Sequence, residues 1–241
     1  MILLGLDSSA KSTSAAVGSD REILTEFSAA VRLTHSQTLM PMLESVLRCA
    51  GLSLGDVDCF AVSAGPGSFT GLRIGVGAVK GLAFGAGRPC VGVSTLDALA
   101  RNLPHAEGIL CPVMDARCGQ VYTASFENGP EGLRRLTPDE ALPIDTLADR
   151  LRALPKRPIY FVGDGAELCF QKLSDTLGDV RLAGEAVRLQ KGSGVILAAR
   201  DKLRQAPPCS PGELAPVYLR LPQAERNRLA GNAPGGSQSN S

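Results

Sequence analysis

The chain has 241 residues, 44% of them hydrophobic and 20% charged, and its formal net charge is +1 at neutral pH. These values are ordinary for a soluble globular protein, and the balanced charge lacks the basic excess typical of a nucleic-acid-binding surface. No apolar stretch has the length of a membrane-spanning helix. The first residues also lack the basic region of a signal peptide. We therefore expect a cytoplasmic protein without membrane contacts.

Cysteine and histidine usage limits the chemistry further. Seven cysteines are scattered along the chain without a C-x-x-C pair, and the two histidines, His35 and His105, are far apart in sequence. Structural metal sites need such residues at short, regular spacing. We expect reduced cysteines and no bound metal.

The first half of the chain predicts an α/β subdomain over residues 1–102. Alternating or apolar runs predict strands at 2–7, 13–18 and 21–30, and a helix follows over 36–50, with Pro41 leaving its start open by a few residues. The subdomain is completed by a strand at 59–63, a glycine-rich turn with a helix reaching Gly87, a strand at 90–93 and a short helix capped by Thr95. Strands that alternate with helices after an initial meander predict a mixed sheet.

The second half predicts a smaller subdomain over residues 103–228. Strands are expected at 108–114, 120–126 and 158–163, and helices at 144–154, 167–177 and 187–205. Residues 229–241 lack the apolar side chains needed to offset the entropy of ordering, so we expect a disordered tail.

A glycine-rich turn joins the strand at 59–63 to the following helix. Gly65 and Gly67 there are typical of a tight turn, although backbone N–H groups at a helix N-terminus also suit an anion. The pattern is not a Walker loop. Asp7 and Ser9, at the end of the first strand, are further candidates for the same phosphate site, with a plain turn as the alternative.

The helix after that turn carries a stripe of glycines. Gly77, Gly81 and Gly85 recur every four residues, and Gly71 and Gly75 precede them. Each glycine costs a helix interior about 1 kcal/mol relative to alanine, so the stripe indicates a compensating close contact. The spacing leaves open whether that contact is internal or lies on another chain.

Several motifs together resemble the TsaB family, also called YeaZ. They are LGLDSSAKSTSAAV (4–17), HSQTLMPML (35–43), AVSAGPGSFTGLRIG (61–75), KGLA (80–83), PVMDARCGQVY (112–122) and APVYLR (215–220). The resemblance implies an actin/Hsp70-like (ASKHA) α/β fold with two subdomains, each built on a mixed sheet. It also implies a role in making N6-threonylcarbamoyladenosine (t6A), the modified adenosine 3′ of the anticodon in tRNAs that read codons beginning with A.

The resemblance further implies that this chain is not itself an enzyme. The catalytic paralogue TsaD carries an H-x-x-x-H metal pair, and Thr95 and Leu99 stand at the matching positions here. Neither side chain binds a metal as imidazole does. The expected arrangement is an accessory subunit with no cofactor of its own, ATP and a metal ion lying on partner subunits.

The expected partners are a TsaD-like catalytic subunit, a TsaE-like ATPase through the complex, and tRNA indirectly. A second copy of the chain is the expected partner when TsaD is absent. The resemblance places the contact on the helix at 36–50 and on the glycine-striped helix. The predicted interface residues are Leu39, Met42, Leu43, Val46, Ile74, Val76, Gly77, Val79, Gly81 and Leu82. A stand-alone ASKHA ATPase or kinase, and more remotely a peptidase, are the alternatives.

Overall fold

A computed structural model describes residues 1–30, 34–155 and 157–220. Its first sheet is followed along the chain by a second sheet, and helices cover both. The elements of the first half are β1 (Leu3–Asp7), β2 (Thr13–Gly18), β3 (Ile23–Ala29), α1 (His35–Cys49), β4 (Cys59–Gly65), α2 (Phe69–Ala86), β5 (Cys90–Ser94) and α3 (Thr95–Ala100).

The first sheet is mixed, as the sequence predicts. Its strand order is β3-β2-β1-β4-β5. The β1–β2 and β2–β3 pairs are antiparallel, whereas β4 runs parallel to both β1 and β5. The parallel strands β1 and β4 are buried throughout because helices cover both faces.

Alternate side chains of the first sheet enter two different cores. Leu4 and Leu6 of β1 pack with α1 and α2 on one face. Leu3 points the other way and packs with Val195 and Ile196 of a helix near the end of the chain. This division follows from the two-residue period of a strand.

The second sheet is also mixed. The elements of this half are β6 (Gly108–Asp115), β7 (Gln120–Thr123), β8 (Phe126–Gly129), β9 (Gly132–Arg135), β10 (Glu140–Pro143), α4 (Ile144–Arg152), β11 (Ile159–Val162), α5 (Ala166–Leu177), β12 (Val180–Leu182), α6 (Glu185–Arg188) and α7 (Gly192–Gln205). The strand order is β10-β7-β6-β11-β12, and β8 pairs with β6 and with β9. Strand β11 runs parallel to β6 and to β12, whereas the other pairs of this sheet are antiparallel. The core of this half contains α4 and α5 on one face of the sheet and α3 on the other.

The structure corrects several predicted elements. Helix α1 begins at His35 and continues through Pro41. The N-cap of α3 is Ser94, whose hydroxyl accepts the Asp97 N–H at 3.2 Å, and Thr95 is already inside the helix. The strand predicted over 120–126 is divided into β7 and β8, and the helix predicted over 187–205 into α6 and α7. The short strands β9, β10 and β12 were not predicted from the sequence.

The end of the described chain returns to the first sheet. Helix α7 packs against β1 and β2, and Leu214 enters the core beneath α1 and α2. The assignment of these residues to the second subdomain was therefore wrong, because their apolar side chains are buried on the first sheet. The predicted tail at 229–241 lies outside the described residues. Within the described ranges, no helix combines the length and apolar character needed to cross a bilayer.

Candidate functional site

The glycines of α2 divide between two faces of the helix. A Cβ atom at Gly71 would lie 2.0 Å from the Ser8 carbonyl oxygen, and one at Gly75 would lie 2.4 Å from Ser8 Oγ. Both distances are far shorter than a van der Waals contact. Gly71 and Gly75 therefore serve close internal packing of α2 against the turn after β1.

The remaining three helix glycines point away from the protein. A Cβ atom at Gly77, Gly81 or Gly85 would meet nothing within 4 Å, and all three residues are exposed. No internal contact of the described chain compensates for their cost to the helix. The five glycines of the stripe thus form two groups: Gly71 and Gly75 make an internal contact, and Gly77, Gly81 and Gly85 are open to solvent.

A large aromatic side chain stands beside the open glycines. Phe84 is 82% exposed, the highest value among the exposed large hydrophobic residues of the described chain. It follows Gly81 by three residues and Gly77 by seven, so it shares their side of the helix. We call Gly77, Gly81, Phe84 and Gly85 the glycine face. Phe84 is not among the predicted interface residues, although its spacing from Gly77 and Gly81 places it on their side of the helix.

The predicted interface residues fall into two groups. Gly77 and Gly81 are exposed, and Met42, Ile74 and Leu82 are half-buried at the edge of the core. The other five are at most 3% exposed and belong to the core, so their placement on a surface was wrong: Leu39, Leu43, Val46, Val76 and Val79. Their helical spacing identifies the side of α1 and α2 that packs on the sheet.

Asp7 is held inside the fold. Its side chain is fully buried, Oδ1 accepts the Ser9 N–H at 2.9 Å and the Ser9 hydroxyl at 2.8 Å, and Oδ2 accepts the Ser63 hydroxyl. Burial raises the pKa of this carboxyl above its ordinary value, and the hydrogen bonds from Ser63 and Ser9 oppose that rise. The geometry is that of a buried turn that ties β1 to β4.

The glycine-rich turn is also occupied by internal contacts. A Cβ atom at Gly65 would lie 2.1 Å from the Val217 carbonyl oxygen, and one at Gly67 would lie 2.5 Å from the Ser9 carbonyl oxygen. The Ser68 N–H donates to that same Ser9 oxygen at 2.7 Å. Backbone approach inside the chain therefore accounts for Gly65 and Gly67 without a bound anion.

A cleft of about 400 Å³ lies beside this turn and reaches the second sheet. Ser9 and Gly67 line it, but Asp7 and Gly65 do not. The lining of the cleft carries both basic and acidic side chains: Lys11, Arg117, Arg220, Asp115 and Asp164. Burial raises the pKa of Asp164, and the nearby Lys11 opposes that rise. Such mixed charge does not resemble the concentrated donor set of a phosphate site.

Thr95 and Leu99, the residues at the paralogue's metal positions, lie inside the fold. Both side chains are at most 1% exposed, and Leu99 packs with Leu110 and Val162 of the second sheet. Within the described residues, no three His, Cys, Asp or Glu side chains come together as a metal site would require. His35 Nδ1 shares a hydrogen bond with the Thr13 hydroxyl at 2.5 Å, so a threonine and not a carboxylate orients this ring.

Comparisons with known proteins agree with this architecture. A family model described as TsaD, tRNA N6-adenosine threonylcarbamoyltransferase, matches residues 29–228. The tRNA threonylcarbamoyladenosine biosynthesis protein TsaB of Bacillus subtilis is 34% identical over 227 residues, which cover 93% of this chain and 96% of that protein. TsaB of Escherichia coli is 32% identical over 223 residues, covering 91% of this chain and 95% of its own.

A solved structure extends the comparison to three dimensions. YeaZ from Pseudomonas aeruginosa superposes with a TM-score of 0.79 at 26% identity, covering 90% of this chain and 99% of that one. The two sheets with their covering helices are thus the actin/Hsp70-like α/β fold that the sequence motifs predict.

Proposed function

Because this chain belongs to the TsaB family of tRNA threonylcarbamoyladenosine biosynthesis proteins, we propose that it is the non-catalytic partner of a TsaD-type transferase. In this proposal the complex transfers a threonylcarbamoyl group to the adenosine 3′ of the anticodon in tRNAs reading codons that begin with A. This chain contributes a docking surface to that reaction.

The observation that carries the proposal is the glycine face of α2. Its three glycines are open to solvent, so nothing within the described chain offsets their cost of about 1 kcal/mol each to the helix. A partner helix can approach such a stripe more closely than it could approach any residue with a side chain. Phe84, with its ring already in solvent, adds an aromatic anchor of the kind that dominates binding energy at interfaces.

The buried positions of Thr95 and Leu99 support the non-catalytic half of the proposal. Imidazole groups at those positions would be needed to bind a metal as the paralogue does. We therefore place ATP and the metal ion on partner subunits, the TsaD-like transferase and a TsaE-like ATPase, and we expect tRNA to be bound through the complex. Without the transferase, a second copy of this chain would cover the glycine face.

Reconstitution of tRNA modification tests the proposal directly. The assay measures t6A formed by a TsaD-type transferase with threonylcarbamoyl-adenylate, with and without this chain. We expect modification to require the chain, and the chain alone to produce none. Modification by the chain alone, or equal modification without it, would contradict a partner role.

A single substitution tests the docking surface. Gly81→Leu places a side chain in the middle of the open stripe, where the isolated chain offers no obstacle, so it should fold normally and lose co-elution with the transferase. Gln171→Leu on α5 is the matched control, since it adds the same side chain to an exposed position of another helix. Retained binding by Gly81→Leu, with affinity equal to that of the control, would exclude the glycine face as the contact.

A further inference from the structure

Two cysteines face each other at the edge of the first sheet. Cys90 is the first residue of β5, and Cys209 lies in the segment after α7. The N–H of each residue donates to the carbonyl oxygen of the other, both at 2.9 Å. This is the hydrogen-bonded pair of an antiparallel ladder, in which directly opposed residues have Cα atoms about 5.5 Å apart and side chains on the same side.

Their sulfur atoms are close and unbonded. The two Sγ atoms are 3.8 Å apart, and both cysteines are free thiols. A Cα separation of about 5.5 Å is within the range that disulfides occupy, and the sulfur atoms need to approach to about 2.05 Å. Rotation of the two side chains supplies that movement while the backbone pair stays in place.

We propose that Cys90 and Cys209 are a reversible disulfide site, closed by small-molecule disulfides such as oxidised glutathione, that fastens the C-terminal strap (residues 206–220) to the first sheet. The Cys209 thiolate attacks one sulfur of the reagent, forms a mixed disulfide and releases one reagent thiolate. The Cys90 thiolate then attacks the Cys209 sulfur and releases the second. Two protein thiols are oxidised by two electrons, the reagent disulfide is reduced to two thiols, and the two cysteine protons pass to these.

The strap has several attachments that the disulfide would reinforce. Lys80 Nζ, from α2, donates to the carbonyl oxygens of Gly212 at 3.3 Å and Leu214 at 3.0 Å. The Val217 N–H donates to the Ala64 carbonyl oxygen at 2.7 Å. Cys209 precedes all of these contacts, so a covalent bond there would anchor the strap where it first meets the sheet.

The two thiols differ in access. Cys209 is partly exposed and is the point of entry for a reagent, whereas Cys90 is buried. Burial, together with the neighbouring Cys209 sulfur, raises the pKa of Cys90 to about 12. Thiolate is the attacking form, so the closing step should accelerate as the pH rises.

Non-reducing peptide mapping tests the site on the full chain. The reduced protein is incubated with mixtures of oxidised and reduced glutathione, quenched with acid, digested and analysed by mass spectrometry. We expect a linked peptide pair joining Cys90 to Cys209, with a loss of about 2 Da for the two hydrogens removed, and its disappearance after reduction. Cys209→Ser should abolish the link, and Cys59→Ala, at a buried thiol on the adjacent strand, should preserve it.

The competing outcomes are distinct. Glutathione adducts at Cys209 with Cys90 still free, or a link from Cys209 to Cys59, would overturn the assignment. Hydrogen exchange then tests the fastening: the amides of Cys209 and Val217 should exchange more slowly in the oxidised chain. Equal exchange in a chain shown to be linked would overturn the fastening of the strap.

Discussion

Replacing Gly81 with alanine should stabilise the isolated chain, whereas the same replacement at Gly75, earlier on the same helix, should destabilise it. Both substitutions improve helix propensity by about 1 kcal/mol. At Gly81 the new methyl group meets nothing within 4 Å, so the gain is realised in full.

At Gly75 the methyl group would lie 2.4 Å from Ser8 Oγ. That hydroxyl is buried and donates to the Gly71 carbonyl oxygen at 2.9 Å. Moving it leaves a buried hydroxyl without its partner, which costs about 1–3 kcal/mol. With further strain from overpacking, we expect a net loss of about 1–2 kcal/mol and a difference of about 2–3 kcal/mol between the two variants.

Urea unfolding followed by circular dichroism measures both variants against the parent chain. Thermal unfolding gives a second measure: a change of 1 kcal/mol in stability shifts the midpoint temperature by about 2–4 °C, so the two variants should differ by about 5–10 °C. Measurements at low protein concentration separate folding from self-association, and an unchanged m-value would confirm that the unfolding reaction is the same. Equal stability of the two variants would refute the division of the glycine stripe into internal and open faces.

Three other substitutions examine separate features. Gly65 has φ +139°, and a Cβ atom there would lie 2.1 Å from the Val217 carbonyl oxygen. Gly65→Ala should therefore lower the free energy of unfolding in urea by more than about 3 kcal/mol. A decrease below about 1 kcal/mol would contradict the close approach. The Phe84 side chain is 82% exposed, so Phe84→Ser should change the free energy of unfolding by less than about 0.5 kcal/mol. The same substitution should weaken transferase binding at least about tenfold, as measured by calorimetry. An unchanged affinity would show that Phe84 is not part of the contact. Burial raises the pKa of Asp7 above 3.8 in the folded chain, so ionisation of this carboxyl costs the parent chain stability as the pH rises above 3.8. The Asp7→Asn variant should therefore become more stable relative to the parent over this range. Urea midpoints measured from pH 4 to 7 test this, and a relative stability of the variant that falls with pH would contradict the sign.

Elements with a strong local pattern were predictable from the sequence. The prediction for β2 matches its observed bounds, and that for α1 differs by one residue at each end. Helix α1 carries apolar residues at helical spacing, whereas β2 is a short run with consecutive apolar residues, and polar or glycine residues mark the ends of both. The parallel addition of β4 and β5 followed from the helices that separate them in sequence.

Features that depend on distant neighbours were not predictable. Gly75 and Gly81 are alike in sequence, and only the position of Ser8 distinguishes the internal glycine from the open one. The spacing of Leu39, Leu43 and Val46 marks one apolar side of α1, but it does not say whether the chain's own sheet or a partner covers that side. The pairing of Cys90 with Cys209 likewise depends on the return of the chain to the first sheet.

That return has a consequence for the order in which the protein can fold during synthesis. Val91 and Val93 of β5, with Leu3 of β1, form an apolar surface whose cover includes Val195 and Ile196 of α7. A nascent chain still lacking α7 leaves part of this surface in water. The strands made first on the ribosome therefore acquire their complete hydrophobic core only after nearly all of the described chain has been translated.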